Sequence, residues 1–203
     1  MANFRGVAAA LRSVERFLNA SFAEEDPVQD GGGGAANTRA VLVRTEDFDR
    51  SGADSIIQFP ALSIFPYRVD VNHTMRAAWA AVGSQDGRAH LPVDIHVLLT
   101  AWAGDAEHQL RILGRTLQCL ETTPILSGPL LDPTAEWAPN EGVQLLLEDM
   151  PIESLVRPFD ALPTDYRLSI PYVARIVRID GRRAAPDPPV VTAIIGVTPS
   201  LVP

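Results

Sequence analysis

LPVDIHVLLTAWAGDAEHQLRILGRTLQCLETTPIL, residues 91–126, decides how this chain is read. Over residues 91–100 the side chains alternate. Leu91, Val93, Ile95, Val97 and Leu99 take one side, and Asp94, His96, Leu98 and Thr100 take the other. That period of two predicts a strand. Gly104 ends the run and Asp105 is placed to cap a helix. The helix is predicted to run to about Thr122 on a stripe of Leu110, Leu113, Leu117 and Leu120, with Pro124 and Gly128 closing it.

Outward from this unit the same tests give further elements. Phe4, Val7, Leu11, Val14, Leu18 and Phe22 follow a three-four spacing, which predicts an amphipathic helix over residues 3–22. Residues 23–38 read as a flexible acidic loop, because four consecutive glycines, Gly31 to Gly34, cost too much backbone entropy for a regular element. Val41 to Val43 is a short strand candidate. Residues 62–71 are a longer one, with Phe65, Tyr67, Val69 and Val71 on one face. Pro66 cannot donate to a ladder, so that end is expected at an edge or bulge. A helical turn is expected over 74–81 and a turn at 83–87. Val143, Leu145 and Leu147 mark another strand, and Pro151 to Val156 a short helix. Residues 166–179 form a long strand with Leu168, Ile170, Tyr172, Ala174 and Ile176 on one face, again placed at an edge or bulge by Pro171. Val190 to Val197 is a last apolar strand candidate. The fold class is therefore α+β: one domain over 1–203, built on a single mixed, mainly antiparallel sheet flanked by two long helices.

Composition removes several function classes. The 203 residues carry 17 basic side chains, all Arg, against 25 acids, a formal charge of −8. Without Lys there is no phosphate-loop NTPase and no Schiff-base chemistry. The lone Cys119, set among leucines, excludes a disulfide framework and reads as a buried inert thiol. The acidic balance argues against non-specific nucleic-acid binding. No apolar run approaches the roughly 20 residues of a membrane span. Arg5, Arg12, Glu15 and Arg16 interrupt any secretory signal, so a cytoplasmic origin is expected. No G-x-S-x-G elbow, zincin motif or dinucleotide fingerprint occurs, so neither an enzyme nor a cofactor is expected. The one constellation worth testing is Asp94, His96 and His108, a possible metal set for a small metal-dependent enzyme. The plainer reading has Asp94 and His96 bonded to neighbours on the less apolar strand face.

The 91–126 stretch is similar to the signature of a bacterial family of cap proteins. These are the tail-terminator, or tube-termination, proteins of extracellular phage-tail-like contractile injection systems. Three pieces match in order: VAAALRSVERFL at 7–18, LSIFPYRVDVN at 62–72, and YRLSIPYVARIVRID at 166–180. Pro66 departs from the family's more usual apolar residue. The resemblance implies a tail-terminator-like fold and a structural role: capping the distal end of the inner tube, contacting the terminal sheath layer and ending tube growth. It implies a hexameric ring, with inner tube protein, sheath protein and other copies of itself as partners, and no nucleic acid or membrane. It carries no catalytic residues. Asp94, His96, Gly104, His108, Gly114, Arg115 and Tyr166 are its fold markers. A monomeric assembly or cargo adaptor is the alternative non-enzyme reading.

Charge is unevenly spread. Residues 24–54 hold eight acids and three Arg, net −5, whereas residues 166–203 hold five Arg and two Asp, net +3. A closed ring joins unlike patches. The basic C-terminal region is thus expected to meet the acidic segment of the next subunit, with Arg175, Arg178, Arg182 and Arg183 as contacts. Val190, Ile194 and Ile195 are candidates for strand addition to a neighbour.

Overall fold

The computed structural model describes residues 4–28, 37–48, 55–76, 78–79 and 89–181. Its helices are α1 (Gly6–Glu24), α2 (His73–Arg76), α3 (Ala106–Thr122) and α4 (Ile152–Asp160). Its strands are β1 (Arg39–Leu42), β2 (Ala61–Val71), β3 (His90–Trp102), β4 (Ile125–Ser127), β5 (Gly142–Leu147) and β6 (Ser169–Asp180). All six strands share one sheet in the order β1-β2-β3-β6-β5-β4. Only β1 and β2 run parallel; the other pairs are antiparallel. The α+β class with a mixed, mainly antiparallel sheet is therefore observed. The expected turn at 83–87, the glycine run and the 190–197 strand lie outside the described residues.

Both long helices pack on one face. Leu11, Val14, Leu18 and Phe22 of α1 and Ile112, Leu113, Cys119 and Leu120 of α3 form one buried cluster with Val93, Ile95, Val97, Leu99 and Ala101 of β3. Full burial of each large aliphatic side chain is worth about 1.5–3 kcal/mol. Asp105 caps α3 as expected, its carboxylate accepting from the His108 N–H at 2.8 Å. Two stripe members depart from expectation. Phe4 precedes α1 and is 73% exposed, and Leu110 is 59% exposed. The buried face of α3 centres on Thr116, and at about 100° per residue Leu110 lies some 120° round from it.

The sheet's edges explain the prolines. The outer edge of β1 is closed by α1: the Asn19 side-chain amide donates to Ala40 O (2.8 Å) and accepts from Ala40 N (3.0 Å), while Glu15 accepts from Leu42 N (3.0 Å). β1 covers β2 only from Ala61 to Ile64. Pro66 falls just beyond, and a bulge follows between Pro66 and Arg68, as Pro66 led one to expect. The bulge resets the alternation where neither long helix covers the strand. Val69, grouped by alternation with Phe65, Tyr67 and Val71, is 54% exposed. Pro171 was expected at an edge or bulge; β6 lies between β3 and β5, but Pro171 stands just beyond the last β5 pair and so holds a local edge on that side. Its carbonyl accepts from Glu148 N at 3.0 Å, and its missing donor falls where the β5 ladder ends at Leu147↔Tyr172. A separate bulge lies between the pairs Val93↔Val177 and Ile95↔Ala174. It shifts the phase of β6, so Val177 as well as Tyr172 and Ala174 enters the core.

Candidate functional site

The sheet face opposite the two long helices carries the even-numbered side chains of β3. At one end the face is dry. Val43, Ile57, Ala61 and Trp102 form a second apolar cluster against Phe48 and Phe65. Trp102 Nε1 donates to Ser63 Oγ at 2.8 Å, and the Arg167 guanidinium stacks over its ring at 4.3 Å. Thr100 and Ser169 bond across β3 and β6 at 2.7 Å.

Towards the other end the face is ionic. His96 is only 7% exposed. Its Nδ1 lies 2.9 Å from Glu148 Oε2 and its Nε2 lies 3.3 Å from Asp70 Oδ2. Arg68 pairs with Asp70 through Nε at 2.9 Å and brings NH2 to 3.5 Å from Glu148. The Tyr67 hydroxyl donates to Glu148 at 2.8 Å. Burial, then the hydrogen bond and charge of Glu148, hold the Tyr67 phenol well above its ordinary range. One strand step along, Asp94 Oδ2 accepts from Asn72 Nδ2 (3.1 Å) and Arg175 Nε (3.2 Å). The cluster ties β2, β3 and the end of β5 across the sheet.

His108 does not join this cluster. Its ring bonds Asp105 at 2.5 Å at the start of α3, the helix packed on the opposite face. Asp94, His96 and His108 are therefore not brought together, and the described residues hold no group of three or more His, Cys, Asp or Glu placed to bind a metal ion. Glu148, Arg68 and Tyr67 are the partners that periodicity missed. Only the register of β2 against β3, and of β5 against the intervening β6, brings them to His96.

The expected interface arginines divide. Arg178 is engaged within the chain, with Glu141 at 2.9 Å and Asp180 at 2.9 Å, and stacks at 6.0 Å on Trp79. Arg175 pairs with Asp94 but leaves 45% of its side chain exposed. Arg182, Arg183, Val190, Ile194 and Ile195 lie outside the described residues. Acids of the 24–54 segment are also used internally. Glu25 pairs with Arg115 at 3.0 Å, Asp26 accepts from Val28 N and Thr38, and buried Asp47 accepts from Arg44. These described acids carry contacts within the chain, although the Glu25 side chain stays 73% exposed. Cys119 is buried, as expected.

A cavity of about 640 Å³ lies between Phe65–Arg68 of β2 and Ser154, Arg157 and Pro158 of α4, next to the His96 cluster. No nucleophile–base pair lines it. No described helix is long and apolar enough to cross a membrane.

Comparison with known proteins agrees with this architecture. The model of the Pvc16 N-terminal domain family matches residues 9–193. No curated protein matches the chain. Among solved structures, the chain is similar to the sheath/tube terminator of an extracellular contractile injection system, PVC, in its extended state, with a TM-score of 0.50 and 18% identity. The likeness covers 95% of this chain and 65% of that one, so the chain spans about 65% of the terminator's length. With the family match running from the first turn of α1 past the end of β6, the chain belongs to the Pvc16 N-terminal domain family.

Proposed function

We propose that this chain is a structural assembly protein that caps the distal end of the inner tube of a contractile injection system, contacts the terminal sheath layer and ends tube growth. The observation that carries this reading is the family match over residues 9–193, supported by a fold likeness to a sheath/tube terminator along 95% of the chain. The chemistry of the sheet face agrees with it. His96, Arg68, Asp70 and Glu148 pair with one another, and Asp94 pairs separately with Asn72 and Arg175, contacts that tie neighbouring strands together as a rigid building block requires. The chain is read as a non-enzyme without a cofactor. Its partners are the tube protein, the sheath protein and further copies of itself in a hexameric ring, assembled in the bacterial cytoplasm and carried in the particle. Arg175, nearly half exposed, is the described candidate for a contact between subunits.

Deleting the gene and imaging the particles by electron microscopy tests this. Overlong or ragged tubes with unattached sheath are expected; particles of normal length sink the reading. Light scattering separates a ring-former from a monomeric adaptor. Metal analysis of the purified chain tests the enzyme reading independently, since stoichiometric zinc or iron on these side chains would revive it.

A further inference from the structure

Gly114 lies inside α3, where glycine weakens a helix relative to alanine or glutamine. A Cβ placed on it meets nothing within 4 Å, so no contact among the described residues requires a glycine there. Counting about 100° per residue from Thr116, the centre of the buried face, Gly114 points almost directly away from the sheet. Leu110, Glu121 and Glu107 fall on the same flank. Leu110 is 59% exposed, and the Glu107 side chain is 76% exposed and pairs with Arg111 of the same helix at 3.3 Å. Among the described residues the flank thus shows bare backbone with an exposed apolar side chain beside it, and Glu107 and Glu121 towards its ends with Arg111 between them.

The complement is on α1. Arg12 and Arg16 are four residues apart and so share a face, with no acidic residue in the first turn of that helix. Arg12 is exposed, and Arg16 keeps 51% of its side chain exposed while reaching Asp132 at 3.9 Å. We propose that the Leu110–Gly114 flank of α3 docks the Arg12–Arg16 face of α1 from a second copy of this chain. The missing side chain lets the second helix approach closely, Leu110 is buried against it, and Glu107, now paired with Arg111 of its own helix, also meets a guanidinium group of the second helix. The two patches differ, as a heterologous contact requires. The inference deepens the self-assembly part of the reading above and rests on it.

The test separates folding from assembly. Gly114→Gln is expected to raise the thermal midpoint of the isolated chain by about 2–4 °C, because the helix gains propensity and nothing clashes. The same substitution is expected to weaken association between copies about tenfold or more, read by native mass spectrometry of the purified chain and by the number of copies per tube end in isolated particles. Glu107→Arg is expected to weaken association similarly, and adding Arg12→Glu in the same chain to restore it. Copies that stay together with Gly114→Gln, or a Glu107→Arg defect that Arg12→Glu leaves unrepaired, overturn the α1–α3 contact while the terminator reading stands. A single wild-type copy per tube end overturns the contact and the ring together. Normal tube length after gene deletion, with association intact, removes the terminator reading alone.

Discussion

Asn19 shows what one residue does in this fold. Its side-chain amide presents a donor and an acceptor to Ala40, imitating the strand that is missing at the edge of β1. Asn19→Ala leaves the N–H and C=O of Ala40, itself 4% exposed, without partners. A loss of about 1–3 kcal/mol in urea denaturation is expected. Arg178 gives a second case. It is 21% exposed between Glu141 and Asp180, which are 11% and 6% exposed. Arg178→Glu should cost about 3 kcal/mol of stability by leaving buried carboxylates uncompensated. The half-exposed Arg175→Glu should change stability less and association more, and native mass spectrometry beside denaturation separates the two effects. Asp132 adds a pH dependence. Burial opposes its ionisation, but hydrogen bonds from the side chain and backbone of Thr134, with the charge of Arg16, outweigh this and hold its carboxyl below the usual carboxylate range. A lowered folded-state pKa contributes stability that is present above the unfolded carboxylate value and is lost as pH falls through the folded one. Urea midpoints measured downward from pH 5 should therefore decline more steeply for the wild type than for Asp132→Asn. The Asn19–Ala40 and Ser13–Asp132 contacts were not legible from neighbouring residues, since these pairs meet only through the tertiary fold, whereas Thr134 beside Asp132 and Asp180 beside Arg178 are local.

Elements were legible in proportion to their periodicity. The strand from Leu91 and the helix capped by Asp105 were read directly, because alternation and capping are local. β4 was missed: it has three residues, and of its two large side chains only Leu126 is buried. Pro171 was assigned to an edge or bulge because a proline cannot donate, and it sits in an interior strand at the point where the neighbouring ladder stops and leaves a local edge. A one-strand argument cannot see where the adjacent strand ends. Gly128 makes the turn out of β4 with φ +55°, a conformation open to glycine and strained for other residues. Gly128→Ala should lower stability by about 1–2 kcal/mol although a Cβ there meets nothing within 4 Å, and its urea midpoint reports this.

At the scale of the molecule, β3 is the axis. It pairs with β2 on one side and β6 on the other, and it is buried on both faces, by helices on one and by the ionic cluster and aromatic residues on the other. Leu99→Ala, at a site 1% exposed, should therefore cost about 2–5 kcal/mol, with helix and sheet signals lost in one cooperative transition. The amino-acid order by itself determined the α+β class, the two helices, the main strands and the cap of α3, because these follow from side-chain period and local hydrogen bonding. Only the tertiary structure decided that His96 joins Glu148 and Asp70 and not His108, that Arg178 is spent inside the chain, and that a Cβ at Gly114 would meet nothing within 4 Å among the described residues. Those outcomes depend on strand order, on bulges that shift register by one residue, and on which helix face meets the sheet, and none of these is encoded within a single element.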